Sequence, residues 1–429
     1  MLTTALVFIV LFAALMGGVP VIICLGLVGS GWILISGNNP LAIISAYYEG
    51  INSFVQLAVP FFVLAGDLMS RSRITEKLIS FAKLFVGRVR GGLAYTTVLT
   101  SMFFAGLTGA GVSDVSALGP IFIPALEKEN YSRVWVTTLV ACAAIIGPTI
   151  PPSIIAVLYG AVTRTSIGGM LLACCIPGIM LGVAFMIVIF LMRNRHKLPD
   201  DRHYIQAREV PAVLKDSVLA LMMPLIILGG ILTGVFTATE AAAVAAFYAL
   251  LVGTLLLKVL TRRDLAESLS ATVKVSANMY LLMASGAILT WMMARTGVPT
   301  QIAATLLGIS PDPLFIFTVS LVIILFLGMF MDNAVAMILV APIMTPIARQ
   351  VGIPDLQFGA TMVVALNIGL ITPPFGMCLF AAATVGKVKF EKMIPYVWPY
   401  LISSLIVLVL TVIFPELTLW LPRMGGFVQ

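Results

Sequence analysis

Apolar residues in this chain do not alternate with polar ones; they run in blocks about as long as a bilayer is thick. Continuous apolar stretches fill 167–192, 216–236, 238–257 and 392–414, and a helix needs about 20 such residues to cross the hydrocarbon core. Further spans are expected near 2–16, 19–36, 53–70, 134–163, 275–294 and 356–386. No polar segment between them is long enough for a separate soluble domain. Two stretches, 74–90 and 261–273, mix apolar with basic residues and read as helices lying along the membrane surface.

Two segments, 92–127 and 313–348, depart from this pattern. The middle of the first reads Gly106-Leu107-Thr108-Gly109-Ala110-Gly111-Val112-Ser113-Asp114-Val115-Ser116-Ala117. Its flanking arms have about 13–15 residues, roughly 20 Å of helix, against a core of roughly 30 Å. Irregular backbone at membrane depth is tolerated only inside protein or beside a water-filled cavity. The segment is therefore expected to be a re-entrant hairpin, and 313–348 a second one with its tip at Gly328-Met329-Phe330-Met331-Asp332-Asn333. A span with a double proline follows each: Gly147-Pro148-Thr149-Ile150-Pro151-Pro152-Ser153 interrupts 134–163, and Asn367-Ile368-Gly369-Leu370-Ile371-Thr372-Pro373-Pro374 interrupts 356–386. Proline removes a backbone donor and clashes with the preceding turn, so both spans should unwind there.

These features recur at one spacing. Pro120 and Pro342 stand 222 positions apart, as do Pro124 and Pro346, Gly106 and Gly328, Gly147 and Gly369, Pro151 and Pro373, Pro152 and Pro374, and Pro177 and Pro399. Internal repeats are a common transporter plan. Basic residues distinguish a parallel from an inverted pair. The loop 71–90 holds Arg71, Arg73, Lys77, Lys83, Arg88 and Arg90, whereas its partner 293–312 holds only Arg295. Conversely, 387–392 holds Lys387, Lys389 and Lys392, and its partner 165–170 holds no basic residue. Cytoplasmic loops accumulate Lys and Arg, so equivalent loops are expected on opposite faces. The reading is an all-α polytopic membrane protein of two inverted repeats, 1–192 and 216–429, joined by a cytoplasmic linker at 193–215. Both termini fall outside, and every Lys and Arg except Arg164, Arg295, Arg349 and Arg423 falls inside.

Composition agrees: 60% of the 429 residues are hydrophobic and 10% charged, with a mean hydropathy of +1.11, where soluble domains carry roughly 25% charged residues. The net charge of +7 resides in short loops, so it points to the bilayer and not to nucleic acid. Cys24, Cys142, Cys174, Cys175 and Cys378 lie in apolar stretches without C-x-x-C spacing and read as small buried hydrophobes. His196 and His203 share one basic loop, which excludes a histidine metal site in the membrane. No basic residue precedes Arg71, so the first apolar stretch lacks the charged start of a secretory signal and is expected to remain as a span.

Carbonyls freed at the breaks need partners, and a desolvated cation is one. Two Na⁺ sites are expected. Ser113, Asp114, Thr149 and Ser153 would form the first with backbone at Gly147; Asp332, Asn333, Asn367 and Thr372 would form the second with backbone at Gly369. Intramembrane acids are expensive and functional by default. A substrate would lie between the opposing tips near the midplane, against Thr108, Gly109, Ser116, Pro152 and Pro374. Proline kinks and span hydroxyls also serve architecture alone, and Asp67 and Glu240, near span ends, read equally as scaffold contacts.

Several of these stretches resemble one family. Val59-Pro60-Phe61-Phe62-Val63-Leu64-Ala65-Gly66-Asp67-Leu68-Met69 is similar to a signature of the large subunit of tripartite (TRAP) transporters. So are Ser116-Ala117-Leu118-Gly119-Pro120, both proline breaks, and Gly234-Val235-Phe236-Thr237-Ala238-Thr239-Glu240-Ala241-Ala242-Ala243, with Ala238 where many members have proline. The resemblance covers essentially the whole chain. It implies an elevator-type, sodium-driven importer in the bacterial inner membrane. It also implies a small four-span membrane subunit, a soluble periplasmic substrate-binding protein, and substrates such as C4-dicarboxylates, sialic acid or other sugar acids. Two rival readings are a self-sufficient sodium/dicarboxylate or citrate carrier and, from another class, an intramembrane aspartyl hydrolase using Asp114 and Asp332. The hydrolase needs two carboxylates sharing a proton, and the repeat places neither acid opposite the other.

Overall fold

A computed structural model describes residues 9–428 apart from 12, 15, 16, 18, 53, 73, 88, 109–110, 194–198, 200–209 and 311. Among the described residues the secondary structure is helical, without a strand. In chain order the helices are α1 (Val21–Ile35), α2 (Leu41–Ile51), α3 (Ala58–Arg71), α4 (Ile74–Val86), α5 (Gly92–Thr108), α6 (Gly111–Lys128), α7 (Arg133–Ala143), α8 (Ile154–Thr163), α9 (Ile167–Met192) and α10 (Val210–Leu232). The chain continues through α11 (Ala238–Leu251), α12 (Arg262–Thr296), α13 (Val298–Ile309), α14 (Pro313–Phe330), α15 (Asn333–Gln350), α16 (Asp355–Gly369), α17 (Met377–Gly386), α18 (Phe390–Ile413) and α19 (Glu416–Met424). By length and apolarity α9, α11 with its extension to Leu256, α12, α14 and α18 suffice to cross a membrane. Large apolar side chains such as Leu27, Ile187, Leu225 and Val409 face outward from these bundles, as a chain solvated by lipid requires.

The same succession appears twice. Helices α5–α6 and α14–α15 are paired arms. Each pair is followed by a short helix, an unwound break, a second short helix and a long one: α7–α9 and α16–α18. Both Pro151–Pro152 and Pro373–Pro374 are cis.

Several boundaries differ from those expected. The first tip is not irregular over 106–117: α6 is helical from Gly111, so Ser113, Asp114 and Ser116 occupy its first turns and the arms are longer than expected. The surface helix 261–273 and the span 275–294 are one continuous helix, α12. No proline or glycine occurs between Arg262 and Ser285, so nothing terminates it at Lys274. The linker is shorter than 193–215, since α10 begins at Val210. Helices α2, α13 and α19 stand where loops or an end were expected, and most of the expected span 2–16 lies outside the described residues.

The two halves interlock crosswise. Helix α17 of the second half packs on α6 and α7 of the first, and α8 of the first packs on α15 and α16 of the second. Glycines permit both approaches: a Cβ at Gly119 would stand 3.0 Å from Val385, and one at Gly359 would overlap the Tyr159 ring. The Arg133 Nε donates to the Gly386 carbonyl at 2.7 Å, tying α7 to the end of α17. On the other side the buried Tyr159 hydroxyl donates to the Asp355 carbonyl at 3.0 Å and accepts from Thr345 Oγ1 at 3.1 Å. Tyr159→Phe leaves both partners short of one bond, and an unsatisfied buried polar group costs about 1–3 kcal/mol. Its expected result is a lower thermal unfolding midpoint in detergent with the helix content unchanged.

Ion pairs close the base of each hairpin with reversed polarity. Arg133 binds Glu127 at 2.6 Å, and Arg349 binds Asp355 at 2.5 Å; Glu127 and Arg349, like Arg133 and Asp355, stand 222 positions apart. Away from the hairpins α3 packs on α11 and α12, and α1 and α2 pack on α12. Arg71 joins α3 to the start of α12 through Asp67 (2.7 Å) and Glu267 (2.8 Å). Asp67 is thus a scaffold contact. So is Glu240, whose carboxylate closes a capping box with Thr237 at the start of α11.

Candidate functional site

Helix ends of both polarities converge on the two breaks. Helices α7 and α16 stop there while α8 and α17 start there, and most of the carbonyls expected to be freed are taken up by tight turns, that of Ala143 by the Ile146 N–H and that of Asn367 by the Leu370 N–H, each at 3.1 Å. The descending hairpin arms α6 and α15 also begin beside them: a Cβ at Gly111 would meet Cys378 Sγ at 2.9 Å and Leu370 at 3.2 Å. Helix C-termini favour cations and N-termini favour anions. One small region therefore offers fields for both.

Asp114 lies in the first turn of α6 and is wholly buried. Its carboxylate rests on Gly147, where a Cβ would overlap Oδ2 and stand 3.0 Å from Cγ. Glycine at 147 is thus the condition for an acid at 114. Gly369 does the equivalent work in the second half, where the obstacle is backbone: its Cβ would fall 2.7 Å from the Gly328 carbonyl oxygen and 2.8 Å from the Gly328 Cα.

A chain of buried polar groups then runs from one break to the other. Thr149 Oγ1 donates to the Ile145 carbonyl at 3.0 Å, so toward Asn367 it acts as acceptor, and Asn367 Nδ2 donates to it at 2.8 Å. That orientation turns Asn367 Oδ1 toward Asn333, whose Nδ2 donates to it. The Asn333 Oδ1 is left over: an acceptor, buried, and without a hydrogen-bond partner among the described residues. Buried polar atoms are nearly always satisfied, so this acceptor is available to an ion or a water.

The remaining expected residues are distributed as follows. Ser153 caps α8, accepting from Ala156 N at 3.2 Å and donating to the Pro148 carbonyl. Asp332 is exposed and caps α15, accepting from Ala334 N at 2.9 Å. Thr372 donates back to the Ile368 carbonyl at 2.7 Å. Ser116 donates to the Val112 carbonyl at 3.0 Å and, like Ser113, is exposed on α6. Pro152 is buried and Pro374 exposed. The Thr108 side chain and Gly109 lie outside the described residues. Sequence reasoning put Thr149 and Asn367 in separate sites, and the structure joins them. It also missed the Gly328–Gly369 contact, although the shared offset of those glycines with Gly106 and Gly147 was a signal for it.

Comparison with known proteins gives a consistent picture. Residues 8–417 match the family model described as the tripartite ATP-independent periplasmic transporter, DctM component. The chain is 38% identical over 378 residues to the sialic acid TRAP transporter large permease protein SiaM of Vibrio cholerae, covering 87% of this chain and 88% of that one. It is 34% identical to the C4-dicarboxylate TRAP transporter large permease protein DctM of Pseudomonas aeruginosa, covering 94% of each. Among solved structures it shares its fold with the YdaH transporter of Alcanivorax borkumensis, with a TM-score of 0.55 at 15% identity over 86% of this chain and 88% of that one.

Proposed function

The chain belongs to the DctM family, the large membrane component of tripartite ATP-independent periplasmic transporters, and on that premise we propose that it imports a small organic acid by sodium symport. It is a multi-pass inner-membrane transport protein and not an enzyme, which disposes of the aspartyl hydrolase reading. The observation that carries the sodium reading is the orphan Asn333 Oδ1 at the end of the Thr149–Asn367–Asn333 chain. Hard oxygen donors and the ends of broken helices suit an alkali cation and an organic anion side by side. Asp114 places a buried carboxyl group at the first break, against Gly147.

In this reading the two repeats are inverted, both termini are periplasmic, and the hairpins with α7–α8 and α16–α17 move as one body against α3, α11 and α12. The chain works with a small four-span membrane subunit and a soluble periplasmic binding protein that delivers the acid. Likeness to SiaM makes sialic acid the first substrate to test, with C4-dicarboxylates and other sugar acids after it. Moving one net positive charge inward across 100 mV supplies about 2.3 kcal/mol, to which a chemical sodium gradient adds.

The test is uptake into liposomes holding this chain and its small subunit, with radiolabelled N-acetylneuraminate and succinate. Each acid is followed with and without an inward sodium gradient, and with and without the purified binding protein. Uptake that requires both is the expected result. Uptake that needs sodium but no binding protein identifies a self-sufficient carrier. Uptake indifferent to sodium removes the symport reading.

A further inference from the structure

Some 15 Å along α8 from the first break, at ten residues and 1.5 Å each, the helix ends at Arg164. This residue adopts a left-handed conformation with φ of 58°, a place where glycine or asparagine is normally found. Its side chain is exposed and enters no ion pair among the described residues. Arg349 and Arg423, placed on the same face by the proposed topology, are paired with Asp355 and Glu416. A cation beside a helix C-terminus is favourable in itself, and Lys387 ends α17 in a left-handed conformation too. What surrounds Arg164 is a separate observation.

Arg164 lines two cavities, one of about 250 Å³ and one of about 700 Å³. The larger lies where α8 and α9 meet the α10–α11 turn and the C-terminal segment. Its wall carries hydroxyls from Thr165, Ser166, Thr237 and Thr239. Ser166 caps the start of α9, so a positive helix end opens onto it; the start of α11, capped by Thr237, is already met by the Glu240 carboxylate. No Asp or Glu is among the residues lining it. The nearest acid in sequence, Glu240, accepts from the Thr237 N–H and hydroxyl, each at 2.8 Å, and is turned onto its own helix.

We infer that this cavity is an anion subsite, in which Arg164 receives the carboxylate of the incoming acid before it reaches the breaks. The unpaired guanidinium supplies the charge, the start of α9 supplies an N–H dipole, and the volume admits a molecule the size of a sugar acid. The identity of the anion rests on the importer reading; the charge selectivity of the cavity does not.

Thiol labelling tests it. Ala161 lies one turn before Arg164 and lines both cavities, and the native cysteines are all buried, so Ala161→Cys gives one accessible thiol. In detergent-purified protein its reaction rate is compared for a negatively charged sulfonatoethyl methanethiosulfonate and its positively charged trimethylammonioethyl counterpart. Relative to free cysteine, the anionic reagent is expected to be favoured about tenfold, the scale of a unit charge acting through partly solvated protein. Arg164→Gly, which relaxes the left-handed backbone, should abolish the preference, and Arg164→Lys should keep it. N-acetylneuraminate or succinate should slow labelling while Arg164 is present. An unchanged reagent ratio in Arg164→Gly overturns the subsite, and failure of both acids to protect overturns its assignment to carboxylates. Labelling requires neither sodium nor turnover, so its outcome and that of the uptake assay are read separately.

Discussion

Replacing Gly147 by alanine is expected to abolish sodium-stimulated uptake while the protein still folds and inserts. A methyl group at 147 would overlap Asp114 Oδ2 and crowd Cγ at 3.0 Å, whereas its next neighbour, the Ala144 carbonyl, lies at an ordinary 3.4 Å. The carboxylate is therefore the group that must yield. It is buried at the first turn of α6, so rotating it away takes the carboxyl group out of the proposed cation site. The fold keeps its hairpin because the displaced group is a side-chain terminus. At the matching Gly369 the obstacle is the Gly328 backbone, which has no rotamer to change. The expected loss in sodium affinity is at least about a hundredfold, roughly 2.8 kcal/mol at 1.4 kcal/mol per tenfold. Uptake against sodium concentration reads this directly, and thermal unfolding with and without sodium reads it independently of transport. In the double variant Gly147→Ala with Asp114→Ala the overlap is gone, so stability without sodium should recover and the sodium response should not. A Gly147→Ala protein with the parental sodium response would take Asp114 out of the cation site.

The parts of the architecture legible in the sequence have causes local to the chain. Bilayer-length apolar blocks make α9 and α18, and Pro151-Pro152 and Pro373-Pro374 unwind the spans that contain them. Glycine and polar residues in mid-block mark both hairpins. The continuity of α12 was less legible: Arg262, Arg263 and Lys274 signal a membrane surface, but charge does not stop a helix when no proline or glycine intervenes. The wiring among the candidate site residues was not legible. Thr372 and Ser116 are hydroxyls of the right kind that donate to their own helix four residues back, an alternative hydrogen-bonding mode that such residues always have. The Asn367–Thr149 bond joins residues 218 apart. It exists because the halves interlock crosswise, a property of packing that neither repeat contains by itself.

That bridge leads to the second large effect: Asn367→Leu should weaken sodium activation about tenfold or more and flatten its dependence on sodium concentration. Leucine fills the space but offers Thr149 no donor and Asn333 no acceptor. Asn333 then has both ends of its amide unsatisfied in a buried site, at about 1–3 kcal/mol for each unpaired group. Nothing holds Oδ1 in the direction it now faces, and an acceptor that must be oriented anew at each binding event binds more weakly. The two breaks also lose the polar link between them, through which, in the proposed symport, occupancy at one would act on the other. The control is Asn333→Leu, which deletes the orphan oxygen but leaves the Asn367–Thr149 bond intact. It should remove one sodium response and keep the break-to-break link. Uptake titrated with sodium separates the variants, with unfolding midpoints as the parallel measurement. If Asn367→Leu lowers the midpoint yet leaves half-activation by sodium unchanged, the bridge is a packing device and the cation lies elsewhere. If half-activation shifts and the curve loses steepness, the same amide that holds the halves together also couples their ions.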